Sequence, residues 1–321
     1  MNLRKILAVS MILCMVLVGG SVAASAANYP NRAISIIVPF AAGGSTDLMA
    51  RVLAPVMSSL LGGVDIIIEN RAGGGGAIAM VEIMRAAPDG YTIILASANS
   101  AVFTPILSDV GYSNEDIVAI AQVSELPTNV FVQADSDIKT VEDLLRIAEE
   151  RKLTYSTSGA GSLHHVVAEL FQHVIGKPGL LTHVPYNSGT ESITAVIGGH
   201  VDMAFANASY GETYVKQQDL LKVIATTGEN GCAILPEVPS FKSLGYDVTL
   251  SSWFGMMART GTPQEIIDLI DKSIREALTD TDLLEAFDKI GQTADYIGST
   301  EFAAKYSAQY EQMRELLKII F

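Results

Sequence analysis

The chain is poor in the residues that would make it a stapled, metal-bound or nucleic-acid-binding protein. It has two cysteines in 321 residues. One of them, Cys14, lies in an apolar N-terminal run, which leaves Cys232 alone and excludes a disulfide framework or a cysteine metal site. Basic residues are also scarce, at 21 against 35 acidic. Nucleic acid and anionic membrane faces both call for basic patches, so neither suits this surface. The longest apolar run, Ile6 to Val18, falls short of the roughly 20 residues that span a bilayer. Catalytic signatures are missing as well. Gly73 to Gly76 is not followed by the Lys-Ser/Thr of a phosphate loop, Gly159-Ala160-Gly161 lacks the third glycine of a dinucleotide fingerprint, and no HExxH occurs. There is no G-x-S-x-G elbow and no convincing nucleophile–base pair.

What is present begins with an export signal. Arg4 and Lys5 precede the apolar run, and Ser21 to Ala27 supplies small residues for cleavage after Ala26 or Ala27. The mature chain is therefore expected to be exported and soluble, with 19 basic against 35 acidic residues and a net charge near −16. Its length predicts two lobes, and 17% charged residues describe a folded protein.

The centre of organisation is Ile34 to Asp47. A β-branched run, Ile34 to Pro39, reads as a buried strand, Phe40 to Gly44 as a turn, and Ser45-Thr46-Asp47 as a helix start. Ser45 or Thr46 is expected to cap that helix, and Asp47 suits its positive end. A strand that feeds a glycine turn and a helix N-terminus aims backbone N–H groups at one spot, which makes an anion site. Pro55 should bend the helix. The same pattern recurs at Leu153 to Ser162 and at Leu181 to Gly189.

Between these come strand–helix alternations. Val64–Glu69 and Thr92–Ala96 read as strands, and Ser97 to Ser100 as a polar loop at a strand's C-terminal end, the edge where open α/β sheets bind ligands. Ile117–Ser124 and Asn129–Gln133 read as two strands, and Glu125 to Thr128 between them is the expected first crossing between lobes. Val201–Ala206 ends at Asn207, and Ser252–Ala258 is the returning strand. Thr262 is expected to cap a long helix with Pro263 at its first position. Two more helices follow, from about Thr281 and Thr300. The signal occupies 1–27, lobe 1 is expected at 28–126 plus 251–321, and lobe 2 at 127–250.

Several stretches together resemble the extracytoplasmic substrate-binding proteins of tripartite tricarboxylate transporters, the Bug-type receptors. They are Tyr29-Pro30, Ile36 to Asp47, Glu69 to Gly76, Ala87 to Thr92, Ser156 to His165, His183 to Tyr186 and Ser252 to Gly255. They span almost the whole mature chain in the family's order. The resemblance implies an α/β, type II periplasmic-binding-protein fold: two doubly wound lobes joined by two crossing strands, closing on a ligand between them. It also implies a small carboxylate as ligand, large and small membrane permease subunits as partners, and a monomer without cofactor, metal or catalysis. The rivals are an exported enzyme acting on a carboxylate and a receptor serving a chemosensor or another transporter. Two departures stand out. Ala41 and Ala42 replace the family's two prolines, and Tyr186-Asn187-Ser188-Gly189 replaces its Tyr-Lys-Gly.

The site residues expected on these grounds are Phe40, Ala42, Gly43, Gly44, Ser45, Thr46 and Asp47 on one jaw, with Asn99 beside them. On the other are Ser158, Gly159, Gly161, Ser162, His164, Tyr186, Asn187 and Asn207. Asp47 is read as a cap or water anchor, because an anion repels it. One of His164 and His165 is expected to face the cleft as a neutral imidazole. Trp253, the lone tryptophan, is expected in the core.

Overall fold

The computed structural model describes residues 28–228 and 231–320, and the expected export signal, 1–27, lies outside them. The chain runs β1 (Ile34–Val38), α1 (Ser45–Leu60), β2 (Ile66–Asn70), α2 (Ala77–Arg85) and β3 (Thr92–Ser97). It then winds through a π-type turn, Asn99–Phe103, into the short α3 (Thr104–Leu107) and the long β4 (Ile117–Gln133). Next come α4 (Val141–Glu150), β5 (Leu153–Thr157), α5 (Leu163–Val174), β6 (Leu181–Pro185), α6 (Gly189–Ile197), β7 (Met203–Asn207) and β8 (Leu221–Thr226). The return is β9 (Ser251–Arg259), α7 (Gln264–Ala277), α8 (Thr281–Lys289), β10 (Ala294–Ile297) and α9 (Ser299–Ile320).

The strands are ordered β2-β1-β3-β9-β4-β7-β5-β6, with β8 and β10 also paired to β4. β1 is parallel to β2 and β3, and β5 is parallel to β6 and β7. Each group is a doubly wound α/β lobe, and β4 belongs to both. Its first part pairs with β9 and β10, its last with β7 and β8. Helices cover both faces because both faces are apolar. In β1, Ile34, Ile36, Ile37 and Val38 are all at most 1% exposed, and burial of each stabilises by roughly 1.5–3 kcal/mol.

The register places the ligand edge. β3 ends at Ser97, level with Phe254 of β9 and so with Ser124 of β4. β7 runs the opposite way and ends at Asn207, level with Thr128. The C-terminal ends of the two parallel sets therefore face each other across Ser124 to Thr128, about 13 Å of strand.

Several local expectations are corrected. Neither Ser45 nor Thr46 caps α1. Gly44 holds that position without a side-chain bond, and the Asp47 carboxylate reaches back to accept the Gly43 N–H at 2.8 Å. α1 continues through Pro55, whose ring lies on the exposed side. Ser97 ends β3, and Ala98 to Ser100 are wound rather than open. Ser100 Oγ accepts from the Ser97 N–H and donates to the Ser97 carbonyl, while buried Val102 and Phe103 draw the chain into the core. β4 is one strand through Pro127. The missing N–H is tolerated there because Pro127 sits at the changeover of ladders, opposite Ser251, the first residue of β9. Its carbonyl accepts from Ala208 N–H, just beyond β7. Pro263, not Thr262, is the N-cap of α7; the Thr262 hydroxyl donates to the Arg259 carbonyl instead. β10 was not expected at all. Trp253 is in the core, packed edge-on against Phe302 and Tyr306 of α9.

Candidate functional site

The first jaw is the turn between β1 and α1. Gly43 has φ +81°, a backbone state that a side chain strains. Its N–H is held by Asp47, and the Gly44 N–H donates to the Ala41 carbonyl at 3.2 Å. Asp47 is buried and fully engaged: besides Gly43 it accepts from Arg51 Nε at 3.0 Å and Asn70 Nδ2 at 3.0 Å. Burial pushes its pKa up, but the bonds from Arg51, Gly43 and Asn70 outweigh this and hold the carboxyl below its ordinary range. Asn70 also donates to the Phe40 carbonyl, so β2 pins the turn. The glycine N–H groups are thus spent inside the protein. The donors left upstream of the helix ladder, which starts with Leu48 N–H to the Gly44 carbonyl, are the first-turn amides of Ser45, Thr46 and Asp47. Thr46 is buried, while Ala42 and Gly43 are exposed.

Asn99 lies beside this jaw. Its Nδ2 donates to the Gly75 carbonyl at 3.2 Å, which Thr104 Oγ1 also reaches at 3.0 Å. Among the described residues, the buried Asn99 Oδ1 and, on the β4 segment, Thr128 Oγ1 have no hydrogen-bond partner.

The second jaw is the turn between β5 and α5. Ser162 caps α5 by accepting from the His165 N–H at 3.3 Å, and its own N–H donates to the Gly159 carbonyl. Gly159 and Gly161 both have positive φ, +136° and +73°. Their N–H groups are again used internally, by Thr157 Oγ1 at 3.2 Å and His165 Nδ1 at 3.0 Å. As on the first jaw, the glycines shape the turn, and the first-turn amides point outward from it. A Cβ on Gly161 would stand 3.0 Å from Leu107 Cδ1, so this turn lies against α3 of the other lobe.

His164 ties three candidates together. Its Nδ1 is 3.1 Å from Ser158 Oγ and its Nε2 is 3.1 Å from Asn207 Oδ1. The ring is 8% exposed, and burial pulls its pKa down to about 4 against the opposing bond to Asn207, so it is neutral at pH 7. Tyr186 and Asn187 are less central. The Tyr186 N–H donates to the Thr157 carbonyl. Asn187 is exposed and gives its N–H to Glu191 Oε2 at 3.1 Å, completing the cap that Ser188 Oγ makes with the Glu191 N–H.

Sequence reasoning passed over the support behind this jaw. His183 Nε2 lies 2.8 Å from Thr157 Oγ1, which in turn donates to the Gly159 carbonyl at 3.0 Å. Its ring stacks on His165, and Tyr155 stacks on the same pair. Burial lowers both histidines to about 4, with His165 adding to the effect on His183. The only signal was His183 within the stretch that carried the family resemblance. A separate cavity of about 630 Å³, lined by Glu125 to Pro127, Cys232, Ser251 and Asp295 among others, contains none of the sixteen expected residues. Among the described residues no cluster of His, Cys, Asp or Glu is arranged for a metal. No helix there is long and apolar enough to cross a membrane.

Comparison with known proteins places the chain in a family with this fold. Residues 49–320 match the family model described as tripartite tricarboxylate transporter family receptor. The protein BugT of Bordetella pertussis is 32% identical over 299 residues, covering 91% of this chain and 90% of that protein. The periplasmic binding protein BugD superposes with a TM-score of 0.78 at 27% identity, over 91% of this chain and 98% of BugD. An R. palustris protein solved with adipate superposes with a TM-score of 0.81 at 24% identity, over 91% of this chain and 98% of its own.

Proposed function

Because this chain belongs to the tripartite tricarboxylate transporter receptor family and is a solute-binding receptor, we propose that its two jaws capture a small carboxylate and that the closed form docks on the membrane subunits of the permease. One observation carries the ligand class. The N-termini of α1 and α5 follow parallel strands whose C-terminal ends face each other across Ser124 to Thr128. Two helix dipoles and their first-turn amides then converge on one space, which suits an anion. The acidic surface does not oppose this, since distant exposed charge is screened within about 10 Å. The neighbour with adipate is a protein of this fold that holds a carboxylate.

The ligand contacts we assign are the sixteen expected residues and, in addition, Leu163, with the first-turn amides of Ser45, Thr46, Leu163 and His164 as donors and the glycines as shapers. We place the lobe boundary at 127 and 251, which the register pairs directly, so that lobe 1 is 28–126 plus 251–321 and lobe 2 is 127–250. Closure is a population shift: a ligand touching both jaws favours the state in which they meet. The protein acts as an exported monomer.

One observation favours the enzyme alternative, namely that Ser158, His164 and Asn207 stand in nucleophile–base–orienter order. His164 weakens it. A general base works best with a pKa near the operating pH, and this ring, at about 4, lies far below.

The test is a thermal-shift screen of residues 28–321 against small carboxylates and their amides. A carboxylate raises the melting temperature by mass action and its amide does not. Stabilisation by uncharged solutes alone would overturn the carboxylate assignment.

A further inference from the structure

The relay behind Ser158 has a direction. Asn207 Oδ1 faces His164 Nε2, and a carbonyl oxygen only accepts, so the imidazole proton is on Nε2. A neutral ring has one N–H. Nδ1 is therefore a bare lone pair, and the 3.1 Å contact to Ser158 requires the serine hydroxyl to donate into it. Ser158 has a single proton, and it points inward. His164 is buried while Ser158 is partly exposed, so what the serine turns outward is lone pairs. Ser162, by contrast, is buried, and its oxygen caps α5 by accepting the His165 N–H.

We infer that Ser158 is a specificity-determining acceptor that selects, among small carboxylates, those bearing a hydroxyl able to donate to it. A bare carboxylate oxygen at that position would meet lone pair against lone pair. A hydroxyl beside the carboxylate turns the same contact into a hydrogen bond. Asn207 sets this polarity through His164 and is a positioning residue. The inference rests on reading the cleft as a carboxylate site.

The experiment is calorimetric titration of residues 28–321 at pH 7 with two matched pairs, succinate with malate and glutarate with 2-hydroxyglutarate. The hydroxylated member of each pair binds about tenfold more tightly, the size of one net hydrogen bond. Ser158→Ala, a change on a partly exposed loop whose folding is checked by an unchanged melting temperature, brings the members within about twofold. Asn207→Asp weakens all four through its charge and, by favouring an imidazolium whose Nδ1 proton turns the Ser158 hydroxyl outward, narrows their ratio. Equal binding of the paired members by the unaltered chain overturns the inference and leaves the carboxylate reading standing. So does a preference that survives Ser158→Ala or widens in Asn207→Asp. Failure of all four, with an uncharged solute binding instead, brings down the carboxylate reading and the inference together.

Discussion

His165 and His183 stack face to face, ring centroids 3.9 Å apart and planes 13° from parallel, and each supports a different point of one turn. His165 Nδ1 accepts the Gly161 N–H, and His183 holds Thr157, which brackets Gly159. The geometry of the second jaw thus depends on two imidazoles being uncharged.

Ligand affinity is expected to be flat from pH 8 to about 5.5 and to fall as the pH approaches 4. Protonating His165 removes its acceptor, and two cations stacked at this distance repel. Around the pair stand Tyr155, Glu169 at 4.0 Å from His165 Nε2 with Tyr155's hydroxyl on the same oxygen, and neutral His164. Glu169 is the one carboxylate among these named neighbours, and its pull raises His183 without overcoming burial. Titration calorimetry between pH 4 and 8 checks this; constant affinity down to pH 4 would contradict it.

Folding stability should follow the same rings. An unfolded histidine titrates near 6.5, whereas burial holds His164, His165 and His183 at about 4. The unfolded chain binds these protons first, so stability is greatest above pH 6.5 and declines as pH falls toward 4. For fully buried His164 the loss is on the order of 3 kcal/mol. Urea denaturation of the chain and of His164→Asn compares the two slopes, and the variant's is expected to be shallower between pH 6.5 and 4.

Asp47→Ala is expected to destabilise the chain by about 1–3 kcal/mol, since it leaves the part-buried Gly43 N–H and Asn70 carboxamide without the carboxylate they share. Asp47→Asn keeps an acceptor and should recover part of this loss. Denaturation midpoints rank the three proteins. Ligand affinity should follow the same order, because the β1–α1 turn is held by these bonds.

Gly255→Ala should cost about 1–3 kcal/mol through overpacking. Its Cβ would stand 2.3 and 2.4 Å from ring atoms of Phe302, a rigid side chain in the core. Trp253 packs edge-on against that ring at 5.0 Å and donates from Nε1 to Gln309, so its emission reports the shift of α9 directly. An unchanged spectrum with unchanged stability would count against this packing.

Strands with a β-branched run, such as Ile34 to Val38, were legible because the apolar residues on both faces are buried and period is irrelevant. Helix α5 was legible from the amphipathic spacing of Leu163 to Ile175 after a small-residue loop. Other features needed contacts that no local pattern carries. Ala294 to Ile297 is too short and mixed to read as a strand, and becomes one only by pairing with β4. Ser97 to Ser100 looked like a loop because small polar residues usually are; here the Ser97 and Ser100 side chains bond to each other's backbone and wind the chain. The two jaws were found from glycine and hydroxyl chemistry. The use of each glycine N–H was not, because Asp47 and His165 claim them by reaching back four residues. The stacking of His183 on a helix 18 residues earlier is a tertiary fact with no trace in spacing.

The unbroken β4 also dictates an order of assembly. In the lobe 1 sheet β9 lies between β3 and β4, yet it follows β4 only after all the strands of the other lobe. A chain emerging from its N-terminus can therefore close β5 to β8 on the far end of β4 while β3 and the near end of β4 have no strand between them. Such distant pairings form slowly and leave strand edges exposed meanwhile. The interval before residue 259 emerges is when this protein most needs a chaperone at its exit.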